Sequence, residues 1–276
     1  VHEIDLDARE YSGVLVQFPS TDGRVNDFAQ LAQRVHDCGA KLVVAADPLS
    51  LTLLKPPGEW GADIVIGSTQ RFGVPMGLGG PHAAYMAVGE KLVRKMPGRL
   101  IGVSRDVDGS PALRMAIQTR EQHIKRDRAT SNICTAQVLL AIMAGFYGVY
   151  HGADGLTRIA NRIHAFACTL AEGLRRLGHV VHEGPFFDTV RVRPAGGAES
   201  VLTKLAEHGI NVRQFGDGSL GIALDETVDA DDIRDLWACF GVTEFEINQV
   251  LAEVDTDFPK NLTRNSSFMT HPVFNN

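Results

Sequence analysis

The stretch Ala62-Asp63-Ile64-Val65-Ile66-Gly67-Ser68-Thr69-Gln70-Arg71-Phe72-Gly73-Val74-Pro75-Met76-Gly77-Leu78-Gly79-Gly80-Pro81-His82 decides the fold. Its short β-branched run, residues 63–67, reads as a buried strand. The strand ends in a small polar turn, and a glycine-rich loop then leads to a further strand over 83–88. Gly77, Gly79 and Gly80 permit positive φ and close backbone approach. A tight connection between strands explains these glycines as well as a ligand cradle does, and the stretch alone leaves both readings open.

Upstream, residues 13–18 and 41–46 are short apolar runs that predict two more strands. Between them Asn26 caps a helix predicted over 27–37, with Phe28, Leu31 and Val35 on one face and Gly39 at its end. Strands alternating with helices predict an α/β domain with a mainly parallel sheet covered on both faces. Downstream, 99–128 reads as a charged, loop-rich stretch, followed by an apolar helix over 135–150. A long amphipathic helix over 152–177 repeats Leu156, Ile159, Ile163, Phe166, Leu170 and Leu174 at helical spacing, and Gly178 closes it. Strands over 186–193, 210–214 and 219–224, with helices over 199–208 and 229–239, predict a small α+β unit. The expected division is therefore a large domain over 1–152, a connector helix with a small domain over 153–254, and a polar linker or arm over 255–276.

The chain has 276 residues, 44% of them hydrophobic, which is enough to bury a sizeable core, and a formal net charge of −6. That balance argues against nucleic acid or an anionic membrane surface as the main partner. Apolar runs are broken by Gly, Pro or charge well short of the ~20 residues of a membrane span. Cys38, Cys134, Cys168 and Cys239 lie far apart without a C-x-x-C pair, which speaks against structural zinc and for reduced thiols. Val1 is not a methionine, and both ends read as cut from a longer chain.

The order of parts in the opening stretch resembles the lysine loop of fold-type-I pyridoxal-phosphate (PLP) enzymes. There a strand ends in Ser/His-Lys, the lysine forms the Schiff base with the cofactor, and a glycine-rich loop follows. Here Gln70 stands at that position, and a glutamine amide is not nucleophilic. The seven lysines, Lys41, Lys55, Lys91, Lys95, Lys125, Lys204 and Lys260, include none between a strand end and a glycine-rich loop.

The surrounding words narrow the resemblance. Pro56-Pro-Gly-Glu59, Gly67-Ser-Thr-Gln-Arg-Phe-Gly-Val-Pro75, Gly79-Gly-Pro-His82, Met96-Pro-Gly-Arg99, Gln118-Thr-Arg-Glu-Gln-His123, Ala129-Thr-Ser-Asn-Ile-Cys-Thr-Ala-Gln137 and Leu224-Asp-Glu-Thr227 resemble the N-terminal half of the glycine-cleaving P-protein family, glycine dehydrogenase (decarboxylating). The resemblance runs from about residue 10 to the end. It implies PLP-dependent transferase fold type I, with a partial large domain and a small α+β domain. It implies a lysine-less half that completes the active site of a lysine-bearing partner half, and a fragment inactive alone. The implied family reaction is decarboxylation of glycine on PLP held by the other half, with the aminomethyl group passed to the lipoyl arm of the H-protein. A non-catalytic dimerisation or scaffold module without cofactor contact is the alternative. The implied location is bacterial cytoplasm, or the mitochondrial matrix if eukaryotic.

Related enzymes of the desulfurase type carry a Gly-Thr-x-Asn loop whose threonine reaches across the dimer to the partner's PLP phosphate. Ala129-Thr130-Ser131-Asn132 matches it with Ala for Gly, so the resemblance implies cofactor contacts from Thr130, Ser131 and Asn132; Thr130 is equally a helix N-cap. His123, Cys134 and His82 are the cleft candidates, each also readable as an ordinary structural residue. Arg120, Lys125, Arg126 and Arg128 form a basic cluster suited to a phosphate or an acidic partner. Asp47 stands roughly where fold-type-I enzymes keep an aspartate for the pyridine nitrogen, but Asp47-Pro48 also opens an ordinary turn. No metal ligand set is expected.

Overall fold

The computed structural model describes residues 5–6, 10–117, 122–129, 137–241 and 245–275. Its first layer is a four-stranded sheet made of β1 (Gly13–Phe18), β2 (Lys41–Ala46), β3 (Ile64–Ser68) and β4 (Ala84–Val88), in that order, with the helix α1 (Ala29–Asp37) between β1 and β2. β1, β2 and β3 run parallel, paired as Leu15 with Val43 and Val44 with Val65, and β4 is antiparallel to β3. Leu42, Val44 and Ala46 turn to a buried face, as do Leu31, Ala32 and Val35 of α1. The opposite face is not covered as the sequence pattern predicts. Leu15 is 64% exposed, because the described chain offers no helix to lie over it.

Residues 100–117 depart from the loop-rich expectation. They form an antiparallel hairpin, β5 (Leu100–Arg105) and β6 (Pro111–Ile117), around a turn at Asp106–Gly109. A short helix α2 (Gln122–Lys125) follows. The two helices expected on either side of residue 151 are present, joined end to end as α3 (Val138–Arg176) and broken at Gly152, whose φ is 62° and ψ −175°. The deepest side of α3 is lined by Leu156, Ala160, Ile163, Ala167, Leu170 and Leu174, the small alanines letting the second lobe approach closely.

That lobe is an antiparallel sheet of β7 (Val180–Val181), β8 (Thr189–Arg193), β9 (Arg213–Gln214) and β10 (Leu220–Ala223), in the order β7-β8-β10-β9, with α4 (Ala198–Glu207) between β8 and β9. α5 (Ala230–Phe240) and α6 (Ile247–Glu253) pack on α3. Asp229 caps α5 through a reciprocal box with Asp232. Trp237 is fully buried and donates its indole N–H to the Leu170 carbonyl at 3.2 Å. The segment after α6 lies back along the chain. The Lys55 and Arg264 amides bond the Leu262 and Leu53 carbonyls, and Asn261 reaches Asp27 at 2.8 Å. One hydrophobic core runs through both lobes.

Candidate functional site

Because β1, β2 and β3 are parallel and adjacent, their carboxyl ends lie side by side. The loops leaving those ends therefore meet, which is where open α/β sheets place ligands. Here they meet Asp188 and Thr189 of the second lobe around a cavity of about 380 Å³. Gln70 lines it, together with Ser68, Arg71, Asp47 and Thr21. Gly67 is required at the end of β3: a Cβ there would stand 2.2 Å from the Ala46 carbonyl oxygen and 2.5 Å from the Tyr85 ring. Its absence lets the Tyr85 hydroxyl donate to that same carbonyl at 2.9 Å. The polar turn is closed by the Gln70 amide on Ser68 Oγ at 3.2 Å and by the Thr69 amide on the Ala83 carbonyl at 2.9 Å.

Arg71 organises the electrostatics. Its Nη2 donates to Asp188 Oδ2 at 2.7 Å, its Nη1 to the Leu224 carbonyl at 3.3 Å, and its Nε lies 3.5 Å from Asp47 Oδ2. The guanidinium also faces the Phe187 ring at 5.9 Å. Burial opposes its charge, but Asp47 and Asp188 outweigh that and hold Arg71 protonated. Burial pushes the Asp47 carboxyl up to about 6, against the pull of Arg71 and with a push from Asp188. Asp47 also accepts the Leu49 amide at 3.0 Å, so it opens the expected turn and holds an ion pair together.

Of the residues singled out from sequence, Gln70 and Asp47 line this cleft. His82 does not line it; its Nδ1 is buried beside the glycine-rich loop, with no hydrogen-bond partner among the described residues. Thr130, Ser131, Asn132 and Cys134 lie outside the described residues, as does the side chain of His123. Arg126, Asp127 and Arg128 form an exposed turn. Arg71, Asp188 and the Tyr147–Glu226 hydrogen bond were not anticipated as members of one seam. Arg71 adjoins Gln70, but its partner Asp188 is 117 residues away.

A second cavity, also about 380 Å³, lies between α3 and residues 253–258, with His164 and Cys168 in its wall. His164 donates from Nδ1 to the Phe187 carbonyl at 2.7 Å and stacks on Phe258 at 4.3 Å. Burial lowers the pKa of His164 and pushes the Cys168 thiol up to about 12. Cys168 Sγ lies 3.6 Å from His164 Nε2, and a thiol held this high is not poised as a nucleophile. Among the described residues no three His, Cys, Asp or Glu side chains converge as a metal site.

The first cleft does not fit a covalently held PLP. No lysine is among its lining residues, Gln70 follows the end of β3, and Asp47 is already paired with Arg71.

A family model described as glycine cleavage system P-protein matches residues 1–240. The chain is 52% identical over 277 residues to the mitochondrial glycine dehydrogenase (decarboxylating) of Gallus gallus, covering 99% of this chain and 28% of that protein. It is 54% identical to the Synechocystis sp. glycine dehydrogenase (decarboxylating), covering 95% of this chain and 27% of that one. It thus spans under a third of the length of these relatives. Among solved structures, an inhibitor-bound glycine decarboxylase (P-protein) superposes with a TM-score of 0.73 at 34% identity, over 87% of this chain and 55% of that one. A cysteine desulfurase from Thermococcus onnurineus NA1 shares the fold, with a TM-score of 0.54 at 19% identity over 82% of this chain and 58% of that one. The architecture is that of PLP-dependent fold type I. On the match across residues 1–240 and these identities, the chain belongs to the glycine cleavage system P-protein family.

Proposed function

We propose that this chain is part of the lysine-less, N-terminal half of a glycine-decarboxylating P-protein, and that it serves the reaction by completing the active site of the lysine-bearing half. The single observation that carries the reading is Gln70, lining the cleft at the end of β3 where the Schiff-base lysine of the fold would stand. PLP bound by the other half supplies the electron sink for loss of carbon dioxide from glycine. This chain then contributes from outside: Thr130, with Ser131 and Asn132, binds the phosphate of the partner's cofactor. The aminomethyl group passes to the lipoyl H-protein.

Two features support this assignment of roles. Arg126 and Arg128 are exposed just before residue 130 and bring positive charge towards a phosphate. Just after it, the first turns of α3 present Val138, Leu139, Phe146 and Tyr150 at 63–85% exposure, an apolar face suited to the second half. No helix among the described residues is long and apolar enough to cross a membrane, and the relatives include mitochondrial and bacterial proteins.

The test is Thr130→Ala in the complete two-half enzyme. Loss of one charge-assisted hydrogen bond to a phosphate corresponds to about 1.5–3 kcal/mol, so PLP affinity falls roughly tenfold to a hundredfold. An unchanged PLP dissociation constant sinks the cofactor contact and leaves the scaffold reading.

A further inference from the structure

The geometry points to Arg71 as the built-in occupant of this half's own cleft: a positioning residue that fastens the second lobe to the carboxyl ends of the parallel strands in one fixed arrangement. The inference rests on the seam itself, and holds whether or not this half touches its partner's cofactor.

Arg71 leaves the turn after β3, yet its fork ends on the other lobe. One arm donates to Asp188 at 2.7 Å, directly before β8, and the other to the Leu224 carbonyl at 3.3 Å, directly after β10. Its Nε stays on the sheet side, 3.5 Å from Asp47, which follows β2. A single side chain thus joins the ends of β2 and β3 to the ends of β8 and β10. Arginine suits this place because its planar fork reaches separate acceptors at once, which a lysine ammonium on a single stem does not.

The charge count makes the clamp obligatory. Asp47 and Asp188 both lie against the one guanidinium, and Asp225 adds its negative charge to the same seam. Without it, like charges crowd a partly buried seam and must repel or take up protons. The contacts on either side help but do not replace it. Asp22 meets Arg191 at 3.4 Å, the Val25 amide bonds the Pro185 carbonyl at 2.8 Å, and Tyr147 bonds Glu226. Arg71 crosses at the carboxyl ends of β2 and β3. The cleft of this half is therefore a fastened seam, and not a second catalytic or cofactor site held in reserve.

Amide hydrogen exchange of the complete protein tests this, since seam opening is a local event distinct from global unfolding. In Arg71→Met, peptides covering 184–190 and 222–228 exchange at least tenfold faster, while α1, β2 and α5 keep their wild-type protection. Arg71→Lys falls between the two, and Asp188→Asn reproduces the effect of the Met variant at the same peptides. Unchanged seam exchange in a folded Arg71→Met protein overturns the proposal. So does an increase spread evenly through both lobes, which would make Arg71 an ordinary contributor to core stability. If Arg71→Met does not fold, the Lys and Asn variants decide: seam-confined acceleration supports the clamp, and wild-type exchange in both overturns it.

Discussion

Two opposed forces meet at the Asp47 carboxyl. Burial pushes its pKa up to about 6, and Arg71 pulls it down without winning. A carboxyl whose folded pKa exceeds its unfolded value of 3.8 favours the folded state most below that value. The contribution is lost as pH rises through about 6. Asp47→Asn, neutral throughout, escapes this loss. The stability of Asp47→Asn relative to wild type therefore improves by about 1 kcal/mol between pH 5 and pH 7.5. Urea midpoints at the two pH values read it, and a relative gain by wild type at the higher pH would refute it. Asp22 behaves oppositely. Burial raises it, but hydrogen bonds from Arg24 and Ser20 outweigh burial and hold it near about 2, so its stabilisation is present above 3.8 and fades as pH falls. Gln70 was legible in the sequence because a strand, a turn and a glycine loop are contiguous. The partnership of Arg71 with Asp188 was not, because only the packing of two lobes brings residues so far apart in the chain to 2.7 Å.

Among the elements, α3 carries the sharpest local constraint. Gly152 sits at φ 62° and ψ −175°, and a Cβ there would stand 2.7 Å from the Phe274 carbonyl oxygen. Side chains at such a φ/ψ cost about 1–3 kcal/mol before any clash is counted. Gly152→Ala accordingly lowers the melting temperature by several degrees and loosens the 269–275 segment, which proteolysis at that end detects. A melting temperature within a degree of wild type would show the bend to be soft. The apolar periodicity of 152–177 predicts the helix correctly, and the break that separates it from the preceding helix falls at Gly152. What was hidden is the returning 269–275 segment, whose Phe274 carbonyl packs against that glycine. The β5–β6 hairpin shows the reverse case. Ile101, Val103, Leu113 and Met115 alternate around an Asp-Gly turn, a legible hairpin signal, but the charges of the flanking stretch drew the reading towards loop.

On the scale of the whole molecule, the four-stranded sheet has one bare face, and apolar side chains stand exposed on both α3 and the hairpin. Val103 is 80% exposed, Leu113 76% and Phe146 69%. Surfaces of this kind mark contacts with other protein, which agrees with a chain that spans 27–28% of its relatives' length. The division of labour proposed above makes one demand of the complete protein: the cofactor's lysine lies outside this chain. Borohydride reduction of the complete PLP-loaded protein, followed by peptide mapping, tests that demand. The expected result is a reduced cofactor adduct on a lysine beyond residues 1–276, with Lys41, Lys55, Lys91, Lys95, Lys125, Lys204 and Lys260 unmodified. A stoichiometric adduct on any of those seven would contradict it and would name the active site in this half.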